Sequence, residues 1–431
     1  MTKESNTKKD KKVEKKAVKK TTKKVAKKTE NKKEEKRLKI GLFNDSFYPL
    51  ADGVIMVVDN YARRLAKTAD VTVFCPGYGK DFDDSKLPYK VVRCKSIKMP
   101  IIDYSFPFAR FDRKYNKELK NSNLDIVHVH SPFPVGKSGS RYAKKHNIPV
   151  VGTMHSQFKQ DFKRAVGLNA TASLLTKIII KEFNKYDECW AVNSEVANIF
   201  KNDYHYKTMP KVMNNATEMI RVDEKEAREV INKKHKLNDD EKVLLFVGRI
   251  NALKNIFFIA DAIKILRERN KDLKFKMLYV GSGQDEKQLK EYIKKNKLSK
   301  DVIMCGKVTD RKLLAQYFSR ADLFLFPSLY DASSIVQIEA ASQKTPGLFL
   351  EGSATSATVK DGVNGLIIKN DREEYAKKIE ELCLNEKKLK KLSENAYKDL
   401  YVNWDDKIEE VYKEYERLIE NKKKTLKKKT K

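Results

Sequence analysis

Residues 242–255 read KVLLFVGRINALKN, an apolar run that ends at a glycine and gives way to a polar loop. A short, continuous apolar run of this kind is typical of a strand buried on both faces of a parallel sheet. Similar runs follow at 275–281, 302–306, 323–327 and 346–350. We therefore predict a doubly wound α/β domain in this half of the chain.

The first half of the chain shows the same alternation of apolar runs and amphipathic stretches. Its strand-like runs lie at 38–43, 71–76, 90–94, 125–130, 149–155 and 189–193. A polar stretch rich in Lys and Glu, roughly 205–241, separates the two series. The pattern predicts an α/β protein with two Rossmann-like domains facing a central cleft, where the carboxyl ends of the strands would bind ligands.

The composition describes a strongly basic protein with unevenly placed charge. The chain has 431 residues, 40% of them hydrophobic, and a formal net charge of +32. Residues 1–37 and 422–431 together supply +18 of that charge. The first tail has only Val and Ala as apolar residues after Met1, too little apolar surface to offset the entropy lost on ordering. We predict that both Lys-rich tails are disordered. Without an apolar segment long enough for a signal peptide or a membrane span, we expect a cytoplasmic protein.

Arg249 and Lys254 follow the first strand of the second series, five positions apart. Two cations near a helix N-terminus would suit a diphosphate, although in a Lys-rich chain they could equally be solvated surface residues. Glycines end the neighbouring strands at Gly248 and Gly281, where backbone could approach a ligand closely. The turns contain neither GxGxxG nor a Walker loop, so dehydrogenase and P-loop functions lack support.

Histidines cluster at the strand ends of the first half, at His128, His130 and His155. A strand-end histidine is more often structural than catalytic. A zinc site lacks a further ligand cluster of suitable spacing, and a Ser-His-Asp site lacks GxSxG. The scattered cysteines form no CxxC pair, which is typical of free thiols in a reducing compartment.

Two acids stand eight positions apart in DASSIVQIEAASQKTP, residues 331–346. Taken alone, Asp331 could stabilise a helix N-terminus and Glu339 could be an exposed surface acid. The order of the surrounding motifs indicates a functional role for the two acids. The ordered set is LADGV, DIVHVHSPF, TMHSQF, AVNSE, VGRINALKN, VGSGQ, CGKV, ADLFLFPS and the acidic segment itself.

In this order the motifs resemble the family 4 retaining glycosyltransferases, which have the GT-B fold, over residues 38–420. The resemblance implies that Asp331 and Glu339 form the E-x7-E pair of the family. Glu339 would accept hydrogen bonds from the ribose of a nucleotide sugar, and Asp331 would hold hydroxyls of the hexose. Arg249 and Lys254 would neutralise the departing diphosphate, with His155 near the reacting hydroxyls.

The resemblance implies further donor contacts along the same loops. These would come from Gly53, Gly248, Gly281, Lys307, Val308, Ala332, Ser333, Ser334 and Ile335. It implies no cofactor and no metal requirement. The chain departs from the family where Asp331 replaces the first glutamate and where Ala332 and Ser334 replace glycines.

The resemblance also assigns the segments. Beyond the tail at 1–37, we expect an acceptor domain at 38–205, a nucleotide-sugar donor domain at 206–400, a C-terminal helix at 401–421 that returns to the first domain, and a basic tail at 422–431.

Basic-aromatic segments at 96–120 and 159–186 bear on the acceptor. Such segments suit an anionic membrane interface, although part of the second could be a core helix with solvated lysines. The first also resembles a loop of diacylglycerol glucosyltransferases. The favoured function is transfer of a hexose, glucose from UDP-glucose, to a membrane lipid such as diacylglycerol, at the inner face of the cell membrane.

Three alternatives remain open from the sequence. One is a glycosyltransferase with a soluble or polysaccharide acceptor, and another is a sugar-nucleotide epimerase on the same fold. The third is a polyanion-binding protein acting through its Lys-rich tails. We expect no specific nucleic-acid partner, because the tails lack aromatic residues for stacking on bases.

Overall fold

The computed structural model describes residues 37–50, 52–79, 82–98, 105–333 and 335–429. Residues 39–431 form one compact unit. The predicted disordered tail lies outside the described residues, apart from Arg37.

A parallel sheet forms the core of the first half. Its strands are β1 (Lys39–Phe43), β2 (Asp70–Pro76), β3 (Lys90–Cys94), β6 (Ile126–Val129), β7 (Val150–Met154), β8 (Glu188–Ala191) and β9 (Lys211–Val212). They lie in the order β3-β2-β1-β6-β7-β8-β9. An antiparallel hairpin, β4 (Ser96–Lys98) and β5 (Ser105–Pro107), stands outside this sheet. The order doubles back at β1, which places a switch point beside the end of that strand.

A second parallel sheet forms the core of the other half. Its strands are β10 (Lys242–Val247), β11 (Phe275–Val280), β12 (Val302–Gly306), β13 (Leu323–Phe326), β14 (Gly347–Leu350) and β15 (Leu366–Ile368). Their order is β12-β11-β10-β13-β14-β15, so the first strand is central, as in a Rossmann domain. The prediction of two doubly wound parallel sheets is confirmed.

Helices cover the faces of both sheets. In the first half they are α1 (Gly53–Leu65), α2 (Arg113–Asn121), α3 (Pro134–His146), α4 (Phe158–Val166), α5 (Asn169–Phe183) and α6 (Ser194–Asn198). In the second half they are α7 (Glu224–His235), α8 (Ile256–Arg269), α9 (Glu286–Lys295), α10 (Arg311–Arg320), α11 (Ile335–Ser342), α12 (Arg372–Cys383) and α13 (Glu386–Leu400). Short helical turns lie at Asp84–Lys86, Ala109–Phe111, Ile199–Asp203, Ala252–Lys254 and Ala354–Thr358.

The last helix, α14 (Trp404–Lys429), packs on the first sheet's domain. Its buried Tyr415 hydroxyl lies 2.6 Å from Nδ1 of His128, whose Nε2 lies 2.7 Å from the Thr153 hydroxyl. His128 is thus a core histidine with both ring nitrogens satisfied. Trp404, also buried, meets the ring of Tyr61 edge-on.

The basic stretch predicted to be a disordered tail continues this helix as far as Lys429, so that part of the prediction is wrong. Lysine has a high helix propensity, and Lys422 forms a 2.7 Å ion pair with Asp187 of the first domain. The helix therefore gains a contact at the point where we expected it to end. No helix within the described ranges is long and apolar enough to cross a membrane.

Candidate active site

The carboxyl ends of the two sheets face a shared cavity of about 530 Å³. Both halves of the chain contribute to its walls. The residues predicted from the sequence that line it are Gly53, His155, Gly248, Arg249, Lys254, Asp331, Ala332, Ser333 and Ile335. Residues nearly 300 positions apart thus meet in one cleft, because parallel strands deliver their following loops to the same edge of each sheet.

Lys254 and Asp331 form an ion pair on the second domain's side of this cleft. The Ala252–Lys254 turn positions the lysine, and the Asn251 side chain caps that turn by accepting from the Lys254 N–H. The second carboxylate oxygen of Asp331 is buried and accepts no hydrogen bond from the described residues. An unsatisfied buried acceptor is costly, so this oxygen is suited to receive a hydroxyl donated by a ligand.

Arg249 is the second residue after β10 and is exposed at the cavity wall. Its side chain forms no ion pair with any residue that the structure describes. Its guanidinium is therefore available to an anion. Among the described cations at the cavity wall, Lys254 is already paired with Asp331, whereas Arg249 and Arg164 form no ion pair, and the Arg164 guanidinium lies over the Tyr330 ring.

The N-terminus of α1 opens onto the same cavity from the other domain. Asp52 caps this 13-residue helix by accepting from the Ile55 N–H at 2.8 Å. A Cβ placed on Gly53 would meet no described atom within 4 Å, so the backbone here is open to the cleft. The exposed N–H groups at a helix N-terminus favour an anion.

His155 lies on the first domain's side of the cavity, at the end of β7. Its Nε2 is 3.0 Å from Nδ1 of His130, and the two rings are stacked. Desolvation by the surrounding protein lowers the pKa of His155 to about 3, so the ring is neutral at physiological pH. The third histidine, His128, stacks on His130 in turn. In the described part of the chain, no set of His, Cys, Asp or Glu side chains is arranged to hold a metal ion.

Glu339 lies outside the main cavity. It borders a smaller neighbouring cavity of about 170 Å³, and its carboxylate forms a 2.7 Å ion pair with Arg311 of α10. The two cavities share Ile335 and Val336 of α11. Asp331 and Glu339 therefore flank the first turn of one helix, with one acid towards each cavity.

Two other predicted donor contacts lie outside both cavities. Lys307 and Val308 form the turn between β12 and α10 and line neither of these two cavities. Ser334 lies outside the described residues. The roles of these residues stay predictions.

Gly281 does not line either cavity, and local packing accounts for its being glycine. A Cβ at this position would stand 1.8 Å from the carbonyl oxygen of Gly248, and the backbone φ is +146°. The glycine lets the ends of β10 and β11 approach each other and thereby supports the loop that carries Arg249.

We expect Gly281→Ala to destabilise the protein by about 1–3 kcal/mol, because the methyl group must displace backbone atoms. Thermal unfolding measures this, with Ser282→Ala at the exposed neighbouring position as the control. An alanine variant as stable as the wild type would show that the two strand ends are not held this closely.

A contact that no sequence motif indicates joins the two domains beside the cleft. The Tyr330 hydroxyl donates to Asp161 of α4, and the Arg164 guanidinium lies 3.8 Å from the centre of the Tyr330 ring. Tyr330 directly precedes Asp331, so this contact ties α4 to the loop that carries the acid. Tyr330 and Asp161 are 169 positions apart, and no local sequence pattern indicates a contact over that separation.

Comparison with known proteins agrees with this geometry. The family model "Glycosyltransferase Family 4" matches residues 51–217, and the model "Glycosyl transferases group 1" matches residues 227–399. The alpha-monoglucosyldiacylglycerol synthase of Acholeplasma laidlawii is 28% identical over 375 residues, covering 83% of this chain and 92% of that protein. The enzyme of the same name from Streptococcus pneumoniae is 24% identical over 390 residues, covering 87% and 85%.

Solved structures share the fold at lower identity. Anabaena HepE, crystallised with UDP and glucose, superimposes with a TM-score of 0.68 at 14% identity, over 88% of this chain and 99% of that one. The sucrose-phosphate synthase from Thermosynechococcus elongatus gives a TM-score of 0.70 at 18% identity, over 89% and 100%. These likenesses confirm the predicted GT-B fold. With family matches on both domains and synthase relatives over most of its length, the chain is a family 4 glycosyltransferase with the GT-B fold.

Proposed function

We propose that the chain transfers glucose from UDP-glucose to a membrane diacylglycerol with retention of the anomeric configuration. The observation that carries this proposal is the cleft itself. Arg249, Lys254 and Asp331 face it from one sheet, while the N-terminus of α1 and His155 face it from the other. The synthase relatives support glucose and diacylglycerol as the substrates.

The donor diphosphate would lie between the cations and the N-terminus of α1. As the bond from the sugar carbon to the phosphate oxygen breaks, negative charge grows on the diphosphate and positive charge on the sugar ring. Fixed cations and helix N–H groups aimed at the leaving oxygens stabilise that charge. The acceptor hydroxyl oxygen forms the new bond to the same carbon, and its proton leaves with the departing phosphate.

Lys254 would serve this step by exchanging partners. In the structure its ammonium is held by Asp331, so a bound diphosphate must share or replace that contact. Asp331 would then be free to accept hydroxyls of the hexose, including at its unsatisfied oxygen. The ion pair thus keeps both groups in place until the donor arrives.

His155 would act as a neutral hydrogen-bonding group. With its pKa lowered to about 3, it does not add a positive charge to the cleft. Because Nε2 faces His130, Nδ1 is the ring atom left to reach the reacting hydroxyls. The tautomer is set by which histidine donates within the pair.

The lipid acceptor is supported by exposed apolar side chains on the first domain. One group surrounds the β4–β5 hairpin and consists of Ile97, Phe106 and Phe111. A second group, which we call the α4–α5 face, comprises Val166, Leu168, Leu174 and Ile178. Exposed lysines flank this face at 163, 177 and 181, a combination that suits an anionic bilayer surface. We propose peripheral attachment at the inner face of the cell membrane.

A donor and acceptor panel tests the proposed function. Purified protein is offered UDP- and GDP-sugars with vesicles containing diacylglycerol, and NMR of the product's anomeric proton reports the configuration. We expect glucosyldiacylglycerol with the α configuration of the donor. Transfer only to a soluble acceptor would reject the lipid, and interconversion of nucleotide sugars without transfer would indicate an epimerase. No turnover, with no thermal shift by UDP or GDP, would contradict the whole proposal.

The α4–α5 face gives a separate prediction about membrane binding. We expect a double variant, Leu174→Glu and Ile178→Glu, to lower vesicle binding at least tenfold, because each buried apolar side chain contributes about 1.5–3 kcal/mol. Co-sedimentation with anionic vesicles measures this, and Leu384→Glu, exposed on the other domain, is the control. Equal binding of the variant and the wild type would place the attachment elsewhere.

A further inference from the structure

Glu339 is a buried carboxylate whose charge is balanced by a neighbouring cation, Arg311. Its side chain is only 7% exposed, and an Arg311 guanidinium nitrogen lies 2.7 Å from its Oε1. Burial raises the pKa of Glu339, while the charge and hydrogen bond of Arg311 oppose that rise. The second facing charge is Glu218, which favours protonation of Glu339.

Arg311 can hold the Glu339 carboxylate while leaving the small cavity beside it open to a ligand. It is the first residue of α10, which Asp310 caps, and its Nε lies 3.6 Å from Glu218. Nearly half of its side chain is exposed, in contrast to the carboxylate that it holds. A cation at this position fixes one oxygen of Glu339 and leaves the rest of the group to a ligand.

The space beside the pair is what separates this arrangement from a purely structural ion pair. A cavity of about 170 Å³ lies against Glu339 and Arg311, with Met56 and Asn60 of α1 and Trp404 on its other walls. It adjoins the main cleft through Ile335 and Val336. A packed structural pair would have no such space at its carboxylate.

We propose that Arg311 is a positioning residue for the nucleoside: it holds Glu339 ionised and oriented at the small cavity, so that the carboxylate accepts the ribose hydroxyls of the donor. This rests on the proposed function, which makes the donor a nucleotide sugar. Arg311 acts through Glu339 and does not itself touch the reacting atoms. Arg311 belongs to none of the sequence motifs on which the family resemblance rests.

The test is a set of UDP dissociation constants measured by calorimetry on the full chain. The variants are Arg311→Met, Glu339→Gln and the double variant, each titrated with UDP and with 2′-deoxy-UDP. We expect Arg311→Met to weaken UDP binding about tenfold in the wild-type background and less than twofold in the Glu339→Gln background. We expect the loss to be smaller for 2′-deoxy-UDP, which lacks one of the hydroxyls.

The pH dependence gives a readout that a merely structural role would not move. Without the cation, the buried carboxyl takes up a proton more easily, so lowering the pH should weaken UDP binding by Arg311→Met more than UDP binding by the wild type. Arg311→Lys should restore the wild-type pH profile, because it restores the charge. Lys312→Met is the matched control. It removes the same charge from α10, but at a surface residue that pairs with Glu226.

Each outcome bears on a different claim. Failure of the wild type to bind any nucleoside diphosphate would overturn the proposed function and this inference with it. Binding by the wild type that Glu339→Gln weakens and Arg311→Met leaves unchanged would overturn the role of Arg311 alone. Equal losses in Arg311→Met and Lys312→Met would overturn it too, because the effect would then be one of net charge. If Arg311→Met does not fold, Arg311→Gln replaces it in the same comparison, with Arg311→Lys again as the variant that keeps the charge.

Discussion

Replacing Arg249 with alanine is expected to lower kcat for glycosyl transfer by about 10²–10³-fold, the usual loss when a group that stabilises transition-state charge is removed. Arg249 is exposed at the cleft and forms no ion pair with the described residues, so its removal leaves no protein carboxylate unpaired. The melting temperature should therefore stay close to that of the wild type. Initial rates at saturating donor measure the effect.

Two control variants accompany this prediction: one keeps the charge at position 249, and the other removes a positive charge outside the cleft. Arg249→Lys keeps the charge and should recover part of the rate. Lys287→Ala removes an exposed cation of α9 that does not line the cleft, and should leave kcat unchanged. A loss of only two- or threefold in a folded Arg249→Ala protein would mean that the leaving diphosphate is stabilised by other groups.

Replacing Asp331 with asparagine should separate catalysis from nucleotide binding. We expect kcat to fall about 10–100-fold, since a charged hydrogen bond to the hexose is worth about 1.5–3 kcal/mol. UDP affinity should be unchanged or higher, because Lys254 loses its carboxylate partner and becomes available to the diphosphate. Rates with UDP-glucose and calorimetry with UDP measure the two effects on the same preparation.

A longer acid at the same position provides the matched comparison. Asp331→Glu restores the residue usual in the family and should keep or improve activity. Weaker UDP binding by Asp331→Asn would show that the acid and the cation are not in competition, and an inactive but folded Asp331→Glu would show that this pocket has a different shape.

Much of the architecture follows from the sequence, because buried parallel strands appear as continuous apolar runs. The run at 242–248 became the central strand of the second sheet, and the loops after such strands necessarily meet at one edge. That rule alone brought Arg249, His155 and Asp331 towards the same cleft. The helical course of 422–429 was missed because it depends on a tertiary contact, the ion pair of Lys422 with Asp187.

The electrostatic partners of the site residues could not be predicted in the same way. Arg311 meets Glu339, and Tyr330 meets Asp161, only because two folded domains bring separate helices and loops together. Neither contact has a spacing that a local pattern could reveal. The residue pattern alone did not distinguish His128 and His130 from His155, which only the family resemblance placed near the reacting hydroxyls. In the structure, burial makes His128 a core residue and leaves His155 at the cleft.

A structure of the protein crystallised with UDP would test the donor site most directly. We expect the diphosphate between Arg249, Lys254 and the N-terminus of α1, with the ribose hydroxyls on Glu339. The Lys254–Asp331 pair should be opened or shared with a phosphate oxygen. UDP bound away from this cleft, or bound in it with Arg249 and Glu339 both remote from the nucleotide, would contradict the assignment of the donor site.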